Sequence, residues 1–124
     1  MNIPGLITPR RAQGAISKRR IVKTGTANGS AAQAAAATTA LIGVSTDIDT
    51  ATGEVADVVR SGLTPVEYGG TVPDGALLTA DSQGRAIAVT LPVAANTYTI
   101  GFAEVAGVVG DIGSVNVVPG FIPA

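Results

Sequence analysis

Residues 98–105 read YTIGFAEV, and their mix of aromatic and β-branched residues marks the clearest strand in the chain. Upstream, residues 76–80 (ALLTA) and 85–90 (RAIAVT) flank 81–84 (DSQG), a four-residue hairpin loop. Residues 73–75 (PDG) form a turn, because Pro sets φ, Asp caps locally and Gly takes the strained position. Residues 63–68 (LTPVEY) alternate well, and Pro65 there implies a sheet edge or a strand start. Further back, 54–61 (EVADVVRS) alternate imperfectly, 46–53 (TDIDTATG) are polar and turn-rich, and 41–45 (LIGVS) are a short apolar run. Downstream, 114–118 (SVNVV) follow Gly107, Gly110 and Gly113, and Pro119-Gly120 stop that run. Strand-like runs recur every 8–14 residues or about that, the spacing of a small β-barrel or β-sandwich. There is no βαβ alternation and no internal repeat, so a mainly β single domain with few helices is expected.

Nearer the N-terminus, residues 20–24 (RIVKT) end at Gly25, and 27–30 (ANGS) signal a hairpin turn. Residues 31–40 (AAQAAAATTA) have high helix propensity, yet they offer no large apolar stripe to bury. A strand start at 31–34 followed by a small-residue loop competes with the helix, and both readings stand at this level.

The chain has 124 residues, no Cys and no His. Disulfides and thiolate or imidazole metal sites are thereby excluded, as are the commonest nucleophile and general base. Nine acids are few, and each lies beside a turn or at a solvent-facing strand position, so no enzyme activity and no cofactor are expected. With two Tyr, two Phe and no Trp, the core must come from Val, Ile, Leu and Ala. These bury less area per residue, and so thin a core invites oligomerisation or docking. No apolar run reaches the length of a membrane span, and no apolar stretch of a signal peptide follows the first residues.

The net charge of −1 hides a strong asymmetry. Residues 1–23 carry Arg10, Arg11, Lys18, Arg19, Arg20 and Lys23 and no acid, whereas the rest has Arg60 and Arg85 against nine acids. Residues 1–17 (MNIPGLITPRRAQGAIS) contain two prolines, two glycines and no sustained period. Residues 1–19 read as an extended basic arm that folds only against a partner, and residues 20–124 as the β-rich body. The alternative is a disordered terminus without a role, but such a tail has little use for Ile3, Leu6, Ile7 and Ile16. Cationic groups would steer the arm to an acidic protein surface. Nucleic-acid binding is the runner-up, weakened because the arm has no stacking aromatic and the acidic body would repel a duplex.

Two other patterns have ordinary readings. Gly101, Gly107, Gly110 and Gly113 lack the spacing of a dinucleotide fingerprint and are expected at turns or bulges. Asp47, Asp49 and Glu54 resemble the start of a calcium loop, but the sixth position is Thr52 and the twelfth Val58, so a solvated loop is expected.

In order along the chain, residues 20–23 (RIVK), 33–45 (QAAAATTALIGVS), Gly62, 66–72 (VEYGGTV), 75–81 (GALLTAD), 84–88 (GRAIA), 100–103 (IGFA), 110–113 (GDIG) and 117–120 (VVPG) resemble the phage capsid cement (head decoration) proteins. The likeness spans about residues 20–120 and rests on the order of the segments, since none is a catalytic signature. It implies a β-tulip-like barrel or sandwich that decorates the outer surface of a tailed-phage head, is homotrimeric, and sits between major capsid subunits to stabilise the expanded shell. Such a protein would reside in the host cytoplasm before assembly. The resemblance also implies that the N-terminal segment lies along the capsid, with Ile3, Leu6, Ile7, Arg10, Arg11, Ile16, Lys18, Arg19, Arg20 and Lys23 as the contact set.

Overall fold

The computed structural model describes residues 3–124, which are all-β without a helix. Two β units share the chain. Strands β2 (Ile7–Ala12), β3 (Ile21–Thr24), β4 (Ser30–Gln33), β5 (Leu41–Ser45) and β6 (Val55–Val59) close a barrel in the order β2-β4-β3-β5-β6. A six-stranded sheet has the order β1-β7-β11-β10-β8-β9, from β1 (Ile3–Pro4), β7 (Gly62–Glu67), β8 (Leu77–Ala80), β9 (Ala86–Ala88), β10 (Thr97–Ala103) and β11 (Ile112–Ile122). A bridge from Tyr68 to Ala86 curls this sheet back toward its far edge.

Adjacent residues Ile21 and Val22 show how one strand serves both units. Neighbouring side chains on a strand point to opposite faces. Val22 joins Ala12, Ile16, Ala31, Ile42, Ala56 and Val58 inside the barrel. Ile21, both its flanking faces being covered, packs with Val66, Tyr68, Leu78, Ile100 and Val115 between barrel and sheet. The run LIGVS follows the same logic, and all five residues of β5 are buried. A register shift against β3 lets Leu41 and Val44 face the sheet while Ile42 enters the barrel.

The alanine-rich stretch forms β4 and a loop. Small side chains suit this place, because Ala31 fills the narrow barrel and Ala34 the inter-unit core. Turns form at 73–75 and 81–84 as expected, with Ala76 N donating to Pro73 O at 3.2 Å and Asp81 Oδ1 accepting from the amides of Gln83 and Arg85. Pro65 sits in β7 beyond the reach of β1, which pairs only with Gly62 and Leu63, so its missing N–H leaves no ladder bond unmade on that side.

Two expectations need correction. Pro119-Gly120 does not end the last strand, since β11 runs on to Ile122. Between the pairs Thr99↔Gly120 and Gly101↔Val117, β11 carries an extra residue, and Pro119 lies in that bulge where no ladder donor is required. Gly101 belongs to the same irregularity, with φ of 148° and no room for a Cβ against the Asn116 carbonyl.

The N-terminal segment is the second correction. Residues 3–16 are extended but are not an arm separate from the body. β2 pairs antiparallel with β6 from Ile7↔Val59 to Arg11↔Val55 and parallel with β4 at Arg11↔Ser30 and Ala12↔Ala31. The barrel closes only through this strand. The segment's partner is its own body, because β4 and β6 present two open edges that β2 satisfies together.

Candidate functional site

The ten residues of the expected contact set do not form one surface. Ile3, Leu6 and Ile7 are exposed at 59%, 57% and 43%. Ile16 is buried within the barrel core and tied by backbone hydrogen bonds in both directions to Thr50, so it cannot touch a partner. Arg10 is half-buried, with Nη1 donating to the Ser30 carbonyl at 3.4 Å, and Arg11 Nη1 donates to Gly53 O at 2.6 Å. Arg19 pairs with Asp47 at 3.0 Å. Arg20 pairs with Glu67 at 3.4 Å and donates to Gln83 O at 2.9 Å, which ties barrel to sheet. The ammonium groups of Lys18 and Lys23 pair with no acid among the described residues.

Asp47, Asp49 and Glu54 hold the chain locally. Asp49 Oδ1 accepts from Lys18 N at 2.8 Å, and Glu54 Oε1 accepts from Ala51 N at 3.0 Å. Asp47 and Asp49 therefore brace the loop that carries Lys18 and Arg19, while Glu54 closes its own turn.

Folding redistributes the charge. Residues 3–60, which build the barrel and β1, carry seven bases and four acids, while 61–124 carry one base and five acids. The boundary of charge thus lies between barrel and sheet, not between an arm and a body. Alternating sequence could not reveal this, because Arg19 and Arg20 look free until their partners 28 and 47 positions away arrive.

A cleft of about 190 Å³ opens on the seam between the two units. Ile7, Ile48, Val59 and Pro65 supply aliphatic walls, and Arg19 and Asp47 a polar side. Arg19 is the one non-glycine residue with positive φ among the described residues, at 54°. Its Nε is buried without a hydrogen-bond partner. No pattern in the sequence marks this cleft, whose lining comes from four separated segments.

At the far end of the sheet, residues 104–112 (EVAGVVGDI) expose Val105, Val108, Val109 and Ile112 at 47–60%. Glycine spacing drew attention to this region only as turns. Gly110 does make a turn, but Gly107 and Gly113 act otherwise: they leave room for the ring of Tyr68. A Cβ on Gly107 would lie 2.7 Å from Tyr68 Cδ2, and one on Gly113 would overlap the ring. Tyr68 is wholly buried and donates from its hydroxyl to Val105 O at 2.6 Å. Burial pushes its pKa up, with the nearby Asp74 charge adding to the effect.

No family model and no curated protein matches the chain. Among solved structures, the head fiber gp8.5 N base of bacteriophage phi29 is similar over 91% of this chain and 93% of that one, with a TM-score of 0.69 at 18% identity. The likeness is one of fold.

Proposed function

We propose that this chain is a structural protein of a tailed-phage head: a decoration protein on the outer capsid surface that binds between major capsid subunits and stabilises the expanded shell. The observation that carries the reading is the fold shared, almost end to end, with a phage head-fibre base. The ordered sequence resemblance to capsid cement proteins points the same way. The reading involves no catalytic step and no cofactor.

In this reading the capsid contact is made by basic residues of the barrel. Arg11, Lys18 and Lys23 supply charge there, and Arg10, Arg19 and Arg20 shape the surface through bonds within the chain. Repetition over a shell multiplies weak contacts. A homotrimer fits both the resemblance and the aromatic-poor core. Before assembly the protein would be in the host cytoplasm.

Incubating purified protein with undecorated expanded heads, then imaging them by electron cryomicroscopy, tests the reading. Added density at sites between capsid subunits, with heads that resist heat better, is the expected result. Bare heads at saturating protein would reject it. A gel shift with duplex and single-stranded DNA addresses the runner-up, since phosphate binding should weaken steeply with salt. The structure lends that runner-up little, because four of the six N-terminal bases already spend hydrogen bonds inside the chain.

A further inference from the structure

One face of the six-stranded sheet packs into the inter-unit core, and the other is open. Neighbouring residues of a strand alternate between the two faces. Val115, Val117, Leu78 and Ala103 enter the core, so Asn116, Leu77 and Phe102 beside them point away from it. The strand registers then set one line of side chains across the sheet: Ile3↔Leu63, Leu63↔Asn116, Asn116↔Phe102 and Phe102↔Leu77. Val89 extends the line, its amide donating to Leu77 O at 2.8 Å. Val118 and Ile87 stand in the next outward row.

An antiparallel sheet with one face in water ordinarily carries polar residues there. In this line five of six residues are aliphatic or aromatic, and none is charged. Ile3, Phe102 and Val118 are 59%, 46% and 51% exposed. With their partly exposed neighbours they offer roughly 500 Å² per copy, or about 1,000 Å² for a pair, which reaches the size of a specific interface. Charge says what kind of surface fits. Seven of the eight bases lie on residues 3–60, so a charged partner is drawn to the barrel and finds no complement on this face. Two such faces meet without like-charge repulsion. Near the middle of the line sits Asn116, whose side-chain amide makes no hydrogen bond among the described residues. An amide both donates and accepts, so two Asn116 side chains satisfy one another, and a single Asn in an apolar seam fixes the register of identical chains.

We infer that the open sheet face is covered by the same face of a second copy, with Asn116 meeting its own equivalent at the symmetry axis. Equivalent residues meet only near such an axis, and Asn116 is central enough in the line to lie there. The stacked faces interdigitate Phe102, Leu63 and Leu77 as the two inner faces of a β-sandwich do. The inference deepens the proposed oligomer by naming its contact, and it rests on that reading only for its setting on a phage head.

The test is made in solution, without heads. Sedimentation of the parent should show association that high salt does not weaken, as expected of an uncharged apolar contact. Phe102→Asp should weaken it about tenfold or more, the effect of losing one buried aromatic side chain. Val118→Asp, in the neighbouring row, should act in the same direction, and circular dichroism checks that both variants fold. The chain has no cysteine, so Asn116→Cys places a single thiol at the inferred axis. Mild oxidation should join it to its equivalent in a second copy, because a disulfide forms only between close Cα atoms. Ser82→Cys, at the exposed tip of the β8–β9 hairpin, should cross-link at least about tenfold more slowly. A parent that stays monomeric up to its solubility limit would overturn the inference. So would association unchanged by both Asp variants, or equal cross-linking at positions 116 and 82. A folded Phe102→Asp protein that self-associates normally yet fails on heads would also overturn it, because the face would then belong to the capsid. Failure of the wild-type protein to bind heads would refute the decoration reading and leave this contact standing.

Discussion

The barrel and the sheet are both built from strands yet hold together differently. The barrel core has seven buried residues, of which Ala12, Ala31 and Ala56 are alanine and none is aromatic. The inter-unit core has fourteen, with Tyr68 at its centre. A barrel so lightly filled depends on closure, in which every edge is paired. The sheet depends on packing and leaves its outer face open. Cohesion in one unit thus comes from a continuous hydrogen-bonded ring, and in the other from buried area.

The largest effect should come from removing residues 1–12. That deletion takes out β2, opens β4 and β6 as edges and strips Ala12 from the barrel. Hydrogen exchange should show loss of protection throughout β3–β6. A truncated chain with a fully protected barrel would show that closure is dispensable and the contrast mistaken. The same deletion would abolish head binding by unfolding, so loss of binding alone would not identify a detachable arm.

Next come two core truncations, one per unit. Leu78→Ala and Ile16→Ala should each cost about 2–5 kcal/mol, read by denaturant unfolding, as both side chains are almost wholly buried. Their exchange patterns should differ, with Ile16→Ala weakening barrel amides first. If both variants loosened the same amides, barrel and sheet would be one cooperative unit without distinct means of cohesion.

Tyr68→Phe should cost about 1–2 kcal/mol, since it leaves the Val105 carbonyl without its buried donor. Alkali offers a second view of this residue. Its folded pKa lies above the ordinary tyrosine value, so its contribution to stability is complete below about pH 10 and is lost as pH rises through the folded pKa. The parent should therefore lose stability above about pH 10, and Tyr68→Phe should flatten that limb. A steep alkaline loss that persists in the variant would assign it elsewhere.

The smallest effect belongs to the barrel surface. Asp47→Ala should change stability by less than about 1 kcal/mol, because the Asp47 side chain is 72% exposed and its pair with Arg19 is screened. A larger cost would mean that this pair helps hold the strained Arg19 backbone in place.

Most of the strands were legible from local patterning. Turns at 73–75 and 81–84 carry their own chemistry in Pro, Asp and Gly, and β10 announces itself through Tyr98, Ile100 and Phe102. The candidate surface was legible only in part. Ile3, Leu6 and Ile7 are exposed as expected, but Ile16 is core and most of the arginines are bonded within the chain. An isoleucine in a Gly-rich segment looks the same whether a partner or its own barrel covers it.

Local patterning by itself determined the β class, and composition the lack of Cys and His chemistry and the need for a core of small aliphatic residues. These follow from side-chain properties that hold wherever the residues end up. Tertiary structure alone decided that residues 7–12 close a barrel, that Gly107 and Gly113 make room for Tyr68, and that the boundary of charge falls between barrel and sheet. Each of those depends on which distant segments meet. Strand pairing and ion pairing are satisfied across tens of residues, and no local period records the partner.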